Sequence, residues 1–210
     1  MVTSLAQDER ARLADELEAV GPDAPTLCTG WDARDLAAHV VVRERRPDAA
    51  PGIRIPRLAG HTAAVQADVA ASTPWPDLVA KVRQRSPLLV GPMDDWFNTA
   101  ELFVHAEDVR RAQPGWTPLP DDARREGVLW SVLRRSGRVL FRNATVGVVL
   151  ALPQPDGRRR TVNNGTPFVT VTGRASELVL YAYGRRSVAD VTVTGDPAVV
   201  REFGGTDLEA

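Results

Sequence analysis

Glu101 and His105 stand four residues apart in the stretch NTAELFVHAEDVRRAQ (98–113), a carboxylate and an imidazole at a spacing that a helix turns to one face. At about 100° per residue, Glu101, His105, Asp108 and Ala112 fall within a narrow arc, flanked by Phe97 and Val104 on one side and Leu102 and Val109 on the other. The polar groups therefore sit in the middle of an apolar face. Buried without partners, each would cost on the order of several kcal/mol, so either hydrogen bonds or a shared metal ion must satisfy them. His39, in GWDARDLAAHVVVRER (30–45), groups on its own helical wheel with Asp35, Leu36, Val42, Arg43 and Arg46 and can also point inward. Two ligands at i and i+4 on one helix with a third from a facing helix suit a small divalent cation. Three protein ligands leave a coordination position open, the pattern of catalytic rather than structural zinc. Spacing alone leaves the alternative standing, because Glu-x-x-x-His is common in helices as a solvated ion pair. His61 is equally a fourth ligand, a capping residue or a surface histidine.

Helices must carry these side chains, and their boundary signals are explicit. Ser4 and Gln7 form a capping box for a helix from about Leu5 to Val20, with Gly21 as its stop. Asp32 is an N-cap for a second helix that runs to about Arg46, before Pro47. Asp48 to Arg57 is a Pro/Gly-rich loop. Leu58 to Ala71 reads as a third helix, Pro76 to Arg85 as a fourth, and the loop SPLLVGPM (86–93) leads into the Glu101/His105 helix. A sixth helical pattern spans Asp121 to about Phe141. Beyond Asn143 the segments VGVVLAL, RRRTV, FVTVTG and VADVTVTG predict strands, and short helical patterns follow at Ala175 to Tyr183 and Asp196 to Phe203. The pentapeptide VTVTG occurs at 169–173 and again at 191–195, a match that chance or an internal repeat explains. The expected architecture is α+β, a helical bundle over 1–118 and a smaller sheet domain over 119–210, with the boundary placed between 118 and 145.

Composition narrows the function. Hydrophobic residues make up 43% of 210, ample for a core, and 26 Lys plus Arg nearly balance 27 Asp plus Glu. The basic runs RERR (43–46) and RRR (158–160) are isolated, so nucleic acid is not an expected partner. Cys28 is the single cysteine, which excludes an intramolecular disulfide and a thiolate cluster and makes a reducing, cytoplasmic compartment the expectation. Neither a signal peptide nor a membrane span is expected. Trp31 reads as an aromatic staple over the bundle end, and Trp75, Trp96, Trp116 and Trp130 as packing residues.

The two motifs together resemble the metal-binding helical domain of mycothiol-dependent maleylpyruvate isomerases and the wider DinB-like group. Gly30, Trp31, Asp35, Leu36 and His39 match the first motif; Glu101, His105 and Asp108 match the second, E-x-x-x-H-x-x-D. The resemblance implies a DinB-like four-helix bundle in which His39, Glu101 and His105 bind zinc or another divalent metal, its open position accepting mycothiol or a similar low-molecular-weight thiol. It further implies a sterol-carrier-like α+β domain after the bundle, LVLYAYGR (178–185) being the best local match. The chain looks closer to relatives called only metal-binding than to the isomerases proper.

The chemistry of the residues is compatible with that resemblance. Zinc lowers the pKa of a bound thiol, so no protein cysteine nucleophile is needed, and Cys28 is given no part. Adding a thiolate to an activated double bond permits isomerisation, and attack on an electrophile with a leaving group is transfer. A small electrophile bearing carboxylates wants arginine, and Arg43, Arg46 and Arg185 are the candidates, each also readable as a surface or ion-pair residue. Asp35 and Asp108 are expected to hold an imidazole N–H or an arginine rather than to touch the metal. The substrate site is expected between the two domains, with Arg185 reaching toward the metal. The competing reading is a non-catalytic protein in which metal ties helices together, with His61 or another side chain closing the fourth position.

Overall fold

The computed structural model describes residues 4–85 and 92–206, without the side chains of 92–97. The expected loop at 86–93 therefore lies outside the described residues up to 91, as does the Trp96 side chain. The chain divides into two compact units, Met1–Pro118 and Leu119–Ala210.

The first unit holds five α-helices: α1 (Leu5–Val20), α2 (Ala33–Arg45), α3 (Ala59–Ser72), α4 (Trp75–Arg83) and α5 (Pro92–Arg110). The α1 start is the capping box read from sequence, Gln7 N–H donating to Ser4 Oγ at 3.3 Å and Ser4 N–H to Gln7 Oε1 at 3.2 Å. Asp32 caps α2 through Asp35 N–H at 2.9 Å. Two corrections arise at poorly signalled ends. The segment expected to be loop contains two single-turn 3-10 helices, Ala50–Ile53 and Pro56–Leu58, each opened by a proline whose fixed φ suits a helical first turn. In addition, α5 starts at Pro92, so Pro92 and Met93 are helical rather than loop.

Leu13 and Leu17 of α1, Leu36 and Val40 of α2, Leu78 and Val82 of α4, and Leu102, Ala106 and Val109 of α5 form one apolar core. Two buried charge networks tie these helices together. Arg10 of α1 makes a bidentate pair with Glu44 of α2, 2.7 Å for each bond, and donates to the Val82 carbonyl of α4 at 3.0 Å. Glu107 of α5, fully buried, accepts from Arg12 of α1 at 2.7 Å, from Arg110 at 3.0 and 2.7 Å, and from Arg111 at 2.6 Å. This network fixes the rotation of α5 against α1, and with it the face on which Glu101 and His105 project.

The second unit is α6 (Ala123–Leu140), a four-stranded sheet, α7 (Ala175–Ala182) and α8 (Pro197–Gly204). Strands β1 (Gly147–Ala151), β2 (Arg159–Asn163), β3 (Phe168–Thr172) and β4 (Thr192–Thr194) lie in the order β2-β1-β3-β4. β1 runs antiparallel to β2 and parallel to β3, and β3 runs antiparallel to β4. The two VTVTG copies are thus neighbouring strands, paired Thr170 with Thr194 and Thr172 with Thr192. They occupy different settings, since Val169 and Val171 are fully buried in β3 while the β4 copy is the sheet edge. Gly147 and Gly165 bring their backbones so close that a Cβ on either would strike the other's main chain. Eight α-helices and one sheet among the described residues make the fold α+β, and no described helix is long and apolar enough to cross a membrane.

Candidate metal centre

α2 and α5 bring His39 and His105 together, their ring centroids 5.4 Å apart and their planes at 73°. Both rings are nearly fully buried, at 8% exposure each. His105 Nδ1 lies 3.1 Å from Asp108 Oδ2, one turn further along α5. A carboxylate can only accept, so Nδ1 is the donor in this contact and Nε2 is the nitrogen turned the other way. That Nε2 is buried without a hydrogen-bond partner. It faces Glu101 Oε2 at 3.9 Å, too far for a hydrogen bond.

An imidazole nitrogen and a carboxylate oxygen therefore face each other across a gap inside the protein. The gap is within the span of two metal–ligand bonds of about 2.0–2.2 Å each. His39 completes the surroundings. Its Nδ1 lies 3.3 Å from Gln66 Oε1 of α3, an oxygen that accepts its proton and leaves Nε2 with the lone pair. Burial, then the neighbouring His105 and Arg43, pull the His39 pKa down to about 4 against the opposing pull of Glu101 and Gln66. At neutral pH the imidazole is uncharged, the form that binds metals. Burial is the largest influence on Glu101 and raises its pKa. Arg43, His105, Arg54 and His39 together outweigh it and leave the pKa below the ordinary carboxylate value, so Glu101 is ionised. An uncharged His39 imidazole and an anionic Glu101 carboxylate thus share one buried region with the unsatisfied His105 nitrogen.

The remaining candidates are placed as follows. Asp108, fully buried, takes the His105 N–H. Asp35 meets the site through its main chain, its carbonyl accepting from Gln66 Nε2 at 3.4 Å, and Gln66 occupies the position at His39 Nδ1. Arg43 donates to Asn98 Oδ1 at 2.6 Å and lies 3.7 Å from Glu44, its Nη1 buried without a hydrogen bond. Arg46 is at the surface in an ion pair with Asp48 at 2.8 Å. His61 is exposed and also faces Asp48, at 3.7 Å. Arg185, in the second unit, donates to the Tyr183 carbonyl at 2.6 Å.

No family model matches the chain, and no curated protein matches it. Among solved structures, the mycothiol-dependent maleylpyruvate isomerase superposes with a TM-score of 0.57 over 90% of each chain, at 20% identity. The chain has the fold of that isomerase. A histidine-to-alanine variant of the isomerase gives a TM-score of 0.54 at the same identity and coverage. At this identity the likeness is one of fold, and it supports the relationship read from the two motifs.

Three residues at the centre escaped the sequence reading. Gln66 lies 27 positions from its partner His39, on a helix with few signals of its inward face. Trp31, read as a staple, packs on the core but also sets its ring 4.9 Å from that of His39. Cys28 puts Sγ 3.2 Å from Asp108 Oδ2, and among the described residues Cys28, His105 and Asp108 are the group whose ligand atoms all lie within 4.8 Å of one another, a spacing that His39, Glu101 and His105 do not meet as a set. The motif match G-W-x-x-x-D-L-x-x-H begins two residues after Cys28, and that adjacency was the available signal.

Proposed function

We propose that the chain binds one divalent cation, zinc foremost, through His39, Glu101 and His105, and uses it with a low-molecular-weight thiol of the mycothiol type to isomerise, or transfer to, a small electrophile. The observation that carries this reading is the buried, unpartnered His105 Nε2 facing Glu101 across 3.9 Å. On this reading α1, α2, α4 and α5 are a DinB-like four-helix bundle over 1–118, and 119–210 is a sterol-carrier-like domain. The His105/Glu101 arrangement is favoured over the Cys28 group as the binding side because His105 Nδ1 already holds a proton for Asp108, leaving Nε2 as the nitrogen with a free lone pair.

When bound, the cation supplies a positive charge that keeps an incoming thiol deprotonated at neutral pH. The protein's own residues do the rest. Asp108 and Gln66 fix the tautomers of the two histidines, which sets the direction of their lone pairs. Trp31 covers one face of His39 and excludes water from it. Arg43 adds a half-buried cation beside Glu101, placed to meet a carboxylate on the thiol or the electrophile. The exposed pairing of His61 with Asp48 favours an open fourth position over a closed structural one.

Cobalt substitution tests the reading. Cobalt-loaded protein should gain a sulfur-to-metal charge-transfer band when a low-molecular-weight thiol is added, and His105→Ala protein should not. A loaded protein whose spectrum ignores every thiol would favour the non-catalytic alternative, in which the metal only ties the helices together.

A further inference from the structure

The turn from Thr26 to Trp31 reaches both imidazoles of the centre. Leu27 N–H donates to the Asp108 carbonyl at 3.0 Å, which seats the turn on α5. Thr26 Oγ1 accepts from Cys28 N–H at 3.2 Å and donates to the Trp31 carbonyl at 2.8 Å, while Trp31 N–H donates to the Cys28 carbonyl at 3.0 Å. The turn is thereby closed on itself and delivers two side chains. The Trp31 ring lies against His39, and the Cys28 thiol points at Asp108 Oδ2, the same oxygen that accepts from His105 Nδ1.

We propose that Cys28 is a positioning residue of this centre, whose thiol holds the Asp108 carboxylate where it fixes the tautomer and rotation of His105. The consequence for metal binding rests on the reading given under Proposed function; the positioning itself does not. A carboxylate can rotate about its terminal torsion, and an imidazole can present either nitrogen to it. The thiol and the His105 Nδ1–H converge on one Asp108 oxygen, from a turn anchored on that residue and from α5, and so restrict both motions. His105 Nε2 is then the nitrogen that faces Glu101, and its being buried and unsatisfied records the result. Partners of this outer kind typically change metal affinity by about 10–100-fold when lost.

The test compares Cys28→Ala with Cys28→Ser, whose hydroxyl restores a donor, in the full-length chain. Zinc affinity by chelator competition should fall about tenfold in Cys28→Ala and stay within about threefold of wild type in Cys28→Ser. In an Asp108→Ala background, Cys28→Ala should alter affinity by less than about twofold, because the route through Asp108 is already cut. Histidine side-chain ¹⁵N spectra of the metal-free protein should show the Nδ1-protonated tautomer of His105 in wild type and Cys28→Ser, and a tautomer mixture in Cys28→Ala. Equal effects of serine and alanine, tracking melting temperature, would reduce Cys28 to a packing residue and overturn the proposal. A sulfur-to-cobalt band in the loaded protein before any thiol is added, lost in Cys28→Ser, would make Cys28 a ligand and also overturn it. Should wild type bind no zinc, the metal reading fails, and the tautomer spectra alone decide: an unchanged His105 in Cys28→Ala overturns the positioning role, a mixture upholds it.

Discussion

Replacing Glu107 with alanine should cost about 3–5 kcal/mol of folding stability, the range expected when one partner is removed from a buried ionic cluster. Glu107 is fully buried and accepts hydrogen bonds from Arg12, Arg110 and Arg111. Arg111 is itself only 3% exposed. Taking the carboxylate away removes the anion that three guanidiniums, Arg12, Arg110 and Arg111, share. Urea titration should show a lower midpoint with an unchanged slope, and a loss below about 1 kcal/mol would mean that water reaches the cluster.

The same group governs acid stability. Burial, the largest single influence, raises the Glu107 pKa, but hydrogen bonds from Arg110 and Arg111 and the charge of Arg12 reverse it and hold the pKa at about 2 against an ordinary 4.5. Because the folded value is depressed, the stabilisation is complete above pH 4.5 and is lost as pH falls from there toward 2. The loss is on the order of 3 kcal/mol from this residue, and Glu107→Gln should flatten the stability profile over that window.

The second large effect depends on the metal. A cation that binds only the folded chain stabilises it by RT ln(1 + [L]/Kd), about 4 kcal/mol at a free concentration a thousandfold above Kd. His105→Ala should abolish that increment. In chelator the same substitution should cost only about 1–2 kcal/mol, from the lost hydrogen bond to Asp108 and local packing. Thermal melts of both proteins, with zinc and with chelator, separate the two terms. An equal loss under both conditions would mean that His105 is a hydrogen-bonded core residue and nothing more.

Local signals made much of this fold legible. Ser4 with Gln7, and Asp32, announce the starts of α1 and α2 because a cap is a contact within three residues. Short runs of β-branched and apolar residues likewise mark β1 and β3. Sheet order was not legible: the parallel pairing of β1 with β3 joins segments about twenty residues apart, and no short-range pattern encodes it. Buried charge was equally hidden. Glu107 looks like any helical glutamate until Arg12, 95 positions away, is placed against it. At the centre, the spacing of Glu101 and His105 made an inward polar face visible. The residues that orient the ring nitrogens, Gln66 and Cys28, arrive from a separate helix and a turn, where only tertiary structure gives them a role.

The most direct measurement is metal content. Purified wild-type protein, equilibrated with zinc and freed of loosely held ions, should retain one metal per chain. The His39→Ala/His105→Ala double variant, verified as folded, should retain almost none, and Glu101→Gln should lose most of its occupancy. A double variant that kept one tightly bound metal per chain would contradict the centre described here and would place the ion elsewhere in the fold.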